Sequence, residues 1–152
     1  MKCLVLGGGG FIGHHLARRL KKEGNEVHIV DLGWWLDDNH DYTVILGDLT
    51  KPSTWLKLDN NYDEVYNLAA DMGGAEYIFT KNNDAKIMLN SLQITMHCIN
   101  WMVKNKKVKR VFFSSSACVY NQNNQMSRHH IDTREQSAYP AYPDSDYGWE
   151  KL

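Results

Sequence analysis

The sequence predicts an α/β fold, a doubly wound parallel sheet. Three observations carry this. Short apolar runs alternate with helical patterns along 152 residues, the first run ends in a glycine cluster that opens a helix, and the second ends in an acid. Lys2 to Leu6 is apolar and stops at glycines, as a buried parallel strand does. From Phe11 to Glu23, Phe11, Ile12, Leu16 and Leu20 follow helical spacing, and Gly24 is placed to end that helix. Glu26 to Asp31 reads as a second strand and Tyr42 to Leu46 as a third. Pro52 sits where a short helix can begin. Asp63 to Leu68 is a fourth strand. A long helix is expected from Asn83 to Lys104, carrying Ile87, Leu92, Ile94, Met96, Ile99, Met102 and Val103, and a fifth strand from Arg110 to Ser115. Residues 119 to 146 show no period and read as a long loop of the kind that serves binding sites.

Composition excludes several classes. With 43% hydrophobic residues the chain can bury a core as a single domain. A formal net charge of −1 points to neither nucleic acid nor a membrane surface as partner. No apolar run approaches the ~20 residues of a membrane helix, and the N-terminus is too soon interrupted for a signal peptide. Cys3, Cys98 and Cys118 form no CxxC pair, which favours free thiols in a reducing, cytoplasmic setting.

Gly7, Gly10 and Gly13 stand between strand and helix. The first permits the turn, the second lets backbone approach a pyrophosphate, and the third lets helix pack on strand. Read from Gly8, the GxGxxG pattern is also met. Asp31 follows Gly7 at roughly the ~20-residue offset where an acid meets the adenosine ribose, and its charge favours NAD over NADP. These features make the sheet Rossmann-like. Asp48 ends the third strand, either facing an adenine amine or capping a turn. Trp34 and Trp35 either cover the adenine or pack ordinarily. Asn67 and the small residues that follow it end the fourth strand at the switch point of the sheet.

Ser114, Ser115, Ser116 and Cys118 follow the fifth strand, on the side where such sheets bind ligands. Serines there also cap backbone, and a lone cysteine is ordinarily a small buried hydrophobe; here the thiol shares a loop with the serines upstream of Tyr147. Tyr147 and Lys151, four apart at the opening of a helix, share one face, where the ammonium is expected to lower the phenol's pKa. The spacing alone is common; in chain order after the glycine loop, Asp31 and the serines it is specific. His14–His15 and His129–His130 are adjacent pairs that point to different faces, and no carboxylate spacing completes a metal site.

The stretches GGGGFIGHHLARRLKKEG, NLAADMGGAEYI, FFSSSACVY and PAYPDSDYGWEKL resemble the extended short-chain dehydrogenase/reductase superfamily of nucleotide-sugar epimerases and dehydratases, within it most of all the GDP-mannose 3,5-epimerases. The resemblance implies NAD as cofactor, with contacts from Gly7, Gly10, Phe11, Ile12, Gly13, Asp31, Asp48, Leu68, Ala69, Ala70, Tyr147 and Lys151. It implies a GDP-sugar substrate met by Gly73, Ser116, Ala117 and Cys118. Catalysis would rest on Tyr147, Lys151, Ser116 and Cys118, with Tyr147 as base during transient oxidation at the sugar C4 and Cys118 exchanging protons at C3 or C5. The lysine that this family pairs with the cysteine, and most nucleotide and sugar contacts, have no matching positions up to Leu152. The expectation is therefore the N-terminal portion of a NAD-binding domain, truncated before the substrate-binding lobe, inactive alone, and completed by a homo-oligomer or a complementing C-terminal chain. Another sugar-nucleotide epimerase or dehydratase, a non-catalytic NAD-binding module and half of a split enzyme are the alternatives.

Overall fold

The computed structural model describes residues 1–33, 41–126, 129 and 131–152. Trp34, Trp35 and His130 lie outside the described residues. Five parallel strands form one sheet in the order β3-β2-β1-β4-β5. They are β1 (Lys2–Leu6), β2 (Glu26–Asp31), β3 (Thr43–Leu46), β4 (Glu64–Asn67) and β5 (Arg110–Phe113). The helices are α1 (Phe11–Lys22), α2 (Pro52–Trp55), α3 (Ala75–Phe79), α4 (Asp84–Lys104) and α5 (Asp146–Lys151). The expected parallel α/β sheet is thus present. Its ends differ by a residue or two from the sequence reading, as strand ends fray once the flanking residue loses its ladder partner. Contacts divide the chain into two compact units: Met1–Ala70 with Gln93–Phe113, and Asp71–Leu92 with Ser114–Leu152.

In the first unit the central strand β1 is covered on both faces, because strand side chains alternate between them, whereas the edge strand β5 is exposed. Cys3 and Val5 of β1 join Ala17 and Leu20 of α1 with Val27 and Ile29. Leu4 and Leu6 join Ile94, Cys98 and Trp101 of α4 with Trp55, Tyr62 and Val65. Helix α1 ends as Gly24 suggests. The amide of Gly24 bonds the carbonyl of Lys21, and that of Asn25 bonds the carbonyl of Leu20, closing the last turn. The chain turns back at β1: β2 and β3 lie to one side, β4 and β5 to the other. The carboxyl ends of β1 and β4 flank that switch point, with Leu6 in register with Asn67.

Two features go beyond the sequence reading. Helix α4 does not bury every apolar residue it carries. Ile87, Ile94, Cys98 and Trp101 are buried, while Leu92, Met96, Ile99 and Val103 are exposed, so apolar residues occupy two sides. Helix α3 was not expected; five residues after Gly74 are too short to show a period. The stretch from 119 to 146 is a loop, but a braced one. It contains single 3-10 turns at Gln122–Asn124 and Glu135–Ala138, and the amide of Gln122 bonds the carbonyl of Tyr142.

At the amino ends of the strands, Lys2 gathers charge. Its Nζ lies 2.6 Å from Asp59 and 3.0 Å from Glu26, and its backbone amide donates to Asp63 at 2.8 Å. Behind it, the buried Tyr62 hydroxyl meets His28 Nδ1 at 2.8 Å, and His28 Nε2 meets Glu26 at 3.1 Å. These donors hold the carboxyls of Glu26, Asp59 and Asp63 below the usual carboxylate range. Depressed carboxylates contribute stability that is present above their unfolded pKa and lost as pH falls through the folded one. Melting followed by circular dichroism should therefore hold steady above about pH 4 and decline below it. Lys2→Met should lower the plateau and flatten the acid decline; an unchanged profile would mean that the cluster contributes nothing.

Candidate active site

The first unit builds an open turn of backbone between β1 and α1. Gly7 takes φ +79, which only glycine adopts without strain, and a side chain there would meet Ala69 N at 2.9 Å. A Cβ at Gly13 would stand 2.1 Å from the Gly7 carbonyl, so α1 reaches the strand end only as glycine. Gly10 differs. Its φ is −80, and a Cβ would touch only the Gly7 carbonyl at 3.4 Å, so protein packing does not demand glycine there. What the missing side chain leaves is open backbone at the start of α1. No side chain caps that helix and no acid occupies its first turn, so its amides are available to an anion. Phe11 and Ile12 stand beside the opening, exposed.

Asp31 closes that turn from β2. Its carboxylate accepts the Gly9 amide at 2.9 Å, the Leu32 amide at 2.7 Å and the Gly33 amide at 3.3 Å. It therefore shapes the glycine loop from the end of β2. Asp48 accepts the Thr50 amide at 2.9 Å and the Thr50 hydroxyl at 2.7 Å through the same oxygen; that oxygen caps a turn. Leu68 continues the ladder by donating its amide to the Leu6 carbonyl, and Ala69 and Ala70 are half-buried.

The second unit gathers the candidate proton-transfer groups. Residues Ala117–Val119 form a 3-10 turn that Ser116 caps, its Oγ accepting the Cys118 amide at 3.2 Å. Helix α5 packs on this turn because residue 148 is glycine. A Cβ there would lie 2.3 Å from the Cys118 carbonyl. Ser145 caps α5 by accepting the Gly148 amide, and the Ser115 hydroxyl bonds the Lys151 carbonyl at 3.1 Å. Tyr147 is thereby buried with Ile78 and Ile87, against Cys118 and Tyr77, and its hydroxyl bonds Ser116. The Lys151 ammonium lies 5.9 Å from the Tyr147 ring centroid.

One expectation fails here. Tyr147 is pushed above the ordinary phenol range, chiefly by burial and also by the negative charges of Cys118 and Glu150, while the Ser116 bond works the other way. Helical spacing brought Lys151 near the ring, but its ammonium is 3.2 Å from the Glu150 carboxylate, which neutralises much of what the phenol would feel.

Gly73 lies in a loop held by residues that sequence reasoning missed. The Asp71 carboxylate accepts the Tyr77 hydroxyl at 2.9 Å and the Asn90 amide at 2.6 Å, while the Asp71 backbone amide donates to Ser91 at 3.0 Å. The Tyr77 ring lies where a Gly73 Cβ would be, 2.6 Å away. Gly148 and Glu150 were also missed; a glycine inside so short a helix was the available signal. A cleft of about 320 Å³ opens elsewhere in this unit, lined by Lys81, Asp84, Asp146 and Trp149 among others, and none of the expected site residues lines it. Among the described residues no three His, Cys, Asp or Glu side chains cluster as metal ligands.

The profile of the NAD dependent epimerase/dehydratase family matches residues 3–152. GDP-mannose 3,5-epimerase 1 of Oryza sativa subsp. indica is 36% identical over 159 aligned residues, which take in 100% of this chain and 40% of that protein. GDP-mannose 3,5-epimerase of Arabidopsis thaliana is 37% identical, with the same coverage. Among solved structures, a UDP-galactose 4-epimerase superposes with a TM-score of 0.80 at 28% identity, over 99% of this chain and 48% of that one. The chain thus spans 40% of the length of the curated relatives it matches.

Gly148→Ala should break the α5 contact, since backbone rather than a flexible side chain opposes the new methyl. Overpacking of this kind costs about 1–3 kcal/mol. Denaturant unfolding is expected to show that loss, with the slope unchanged; a neutral substitution would mean that the helix can back away freely.

Proposed function

Because the chain belongs to the NAD dependent epimerase/dehydratase family, we propose that it carries the cofactor cradle and the proton-transfer residues of a nucleotide-sugar epimerase acting on GDP-mannose. The observation that carries this reading is the cluster of Tyr147, Ser116 and Cys118, a phenol bonded to a hydroxyl beside a half-exposed thiol, held by the Gly148 contact. The similarity to two plant GDP-mannose 3,5-epimerases supports the choice of sugar nucleotide.

The cradle fits a dinucleotide. Gly7, Gly10 and Gly13 would hold the pyrophosphate on backbone amides, Phe11 and Ile12 would border it, and Asp31 would meet the adenosine ribose. Asp48 and Leu68 to Ala70 would complete the adenine and nicotinamide sides. NAD, when bound, supplies the acceptor for a hydride from the sugar C4 and returns it afterwards. Tyr147 takes the C4 hydroxyl proton onto its phenolate oxygen, with Ser116 bonded to that oxygen throughout. The resulting 4-ketone acidifies the hydrogens at C3 and C5. The Cys118 thiolate removes one of them, and an acid on the opposite face of the ring returns a proton to the carbanion. Ser116, Ala117 and Gly73 would border the sugar.

The substrate lobe, and with it the second acid/base, would lie in the length of the relatives that these residues do not match. We place the protein in the cytoplasm, where Cys3, Cys98 and Cys118 stay free. Among the described residues no helix is long and apolar enough to cross a membrane. A homo-oligomer or a complementing chain fits the exposed apolar side of α4 (Leu92, Met96, Ile99) and the exposed Val111, Phe112 and Phe113 on edge strand β5.

Calorimetry should show NAD binding more tightly than NADP, with Asp31→Ala closing the gap; equal affinities in the unaltered chain would remove Asp31 from the ribose. For the chemistry, the chain is supplemented with the C-terminal portion of the rice relative and incubated with NAD and GDP-mannose in deuterium oxide. Mass spectrometry should find deuterium in the sugar, and Cys118→Ala should slow its entry by ~10²–10⁴-fold. Exchange at the original rate in the variant would reduce Cys118 to packing, and the unsupplemented chain should show no turnover.

A further inference from the structure

Glu150 has no part in the scheme above, yet it is the most conspicuous polar side chain beside it. Its side chain is 1% exposed and that of Lys151 is 2% exposed, with Glu150 Oε2 and Lys151 Nζ 3.2 Å apart. Among the described residues neither carboxylate oxygen accepts a hydrogen bond. The contact is therefore an ion pair without hydrogen-bond geometry. Buried carboxylates are ordinarily satisfied several times over, and an ion kept in such surroundings without donors depends on its counter-charge. Consecutive side chains on a helix diverge, so a 3.2 Å approach requires both to bend toward one point at the end of α5. The same ammonium lies 5.9 Å from the centroid of the Tyr147 ring.

We infer that Glu150 is a positioning residue: its buried carboxylate holds the Lys151 ammonium beside Tyr147 and limits how much of that charge the phenol feels. The inference rests on the reading of Tyr147 as the base. Its reach can be traced through every element packed on the phenol. The 3-10 turn contributes Ser116, bonded to the hydroxyl, and Cys118. Helix α3 contributes Tyr77, whose hydroxyl is bonded to Asp71; helix α4 contributes Ile87 and, over the Tyr77 ring at 5.8 Å, Lys86. Helix α5 itself contributes Glu150 and Lys151. Of the charges on the phenol's own helix Asp146 is exposed, whereas Glu150 and Lys151 are buried and opposed, so the Glu150 carboxylate weighs most in what that helix delivers. With the pair intact the phenol stays protonated at neutral pH, as its upward shift indicates, and burial is the larger cause of that shift. With the carboxylate neutralised, the ammonium acts alone and the phenolate is favoured.

The test uses the chain itself and does not need turnover. The near-ultraviolet absorbance of tyrosinate is titrated in the unaltered protein and in Glu150→Gln, each against a Tyr147→Phe counterpart, so that the difference isolates Tyr147. The expected result is a midpoint displaced to lower pH in Glu150→Gln and returned by Glu150→Asp. An unmoved or raised midpoint in a folded Glu150→Gln protein overturns the proposal. If that variant does not fold, unfolding of Lys151→Met and of Glu150→Gln/Lys151→Met carries the test. Removing the lysine alone should destabilise strongly, and removing the carboxylate as well should restore much of the loss. Additive losses overturn the pairing. A protein with this titration but no epimerase activity would refute the epimerase reading and leave the role of Glu150 standing.

Discussion

The burial of β1 on both faces and both edges is the constraint on which the first unit depends. Cys3, Leu4, Val5 and Leu6 have no exposed surface, and β2 and β4 pair with the strand from either side. Alternation sends Cys3 and Val5 into one core and Leu4 and Leu6 into the other, so four residues organise two hydrophobic layers. A shift of one residue would exchange the two layers, and neither set of partners would fit. Because β1 is central, its end is also the switch point of the sheet. The glycine turn that leaves it must run close to Ala69 at the end of β4, and the start of α1 is presented there.

In the second unit, packing and electrostatics pull in different directions. Close approach of α5 to the turn at Ala117–Val119 places Tyr147 against Ser116 and Cys118, and the same approach removes the phenol from water. Desolvation opposes ionisation of Tyr147, which the proposed chemistry needs. The ammonium four residues along would offset this, but a carboxylate accompanies it into the protein. An isolated positive charge at that depth would be costly, so the pair solves a folding problem while tempering the charge near the phenol. The ionisation of Tyr147 answers to the charge balance around it.

Much of this was legible in the sequence where the physical demand is local. A glycine turn between a strand and a helix, an acid closing the next strand, and the i, i+4 pair at Tyr147 and Lys151 are each written within a few residues. What stayed hidden depends on distant atoms. Gly148 is required by the carbonyl of Cys118, which lies in another element; a glycine in so short a helix hints at a close contact without naming the partner. Spacing places Lys151 near Tyr147, yet says nothing of burial or of the carboxylate that shares the site. Asp71 became the organiser of its loop only when Tyr77, Asn90 and Ser91 were brought to it. The second apolar side of α4 also stayed hidden, because a run of apolar residues does not show which of them meet the core.

The central placement of β1 also has a consequence in time. Its ladder with β2 pairs Lys2 with Glu26, a short closure, whereas its ladder with β4 pairs Cys3 with Glu64 and must wait for much more of the chain. As the chain emerges from the ribosome, the most apolar strand of the sheet is made first and completed late. In the interval β1 has one paired edge and one bare edge, and the face that will meet α4 is wet. Non-local pairing of this kind slows folding and lengthens the exposure of sticky intermediates. The early β1–α1–β2 unit, fastened by the Gly7 amide on the Val30 carbonyl at 2.8 Å, is what shelters that strand until the rest arrives.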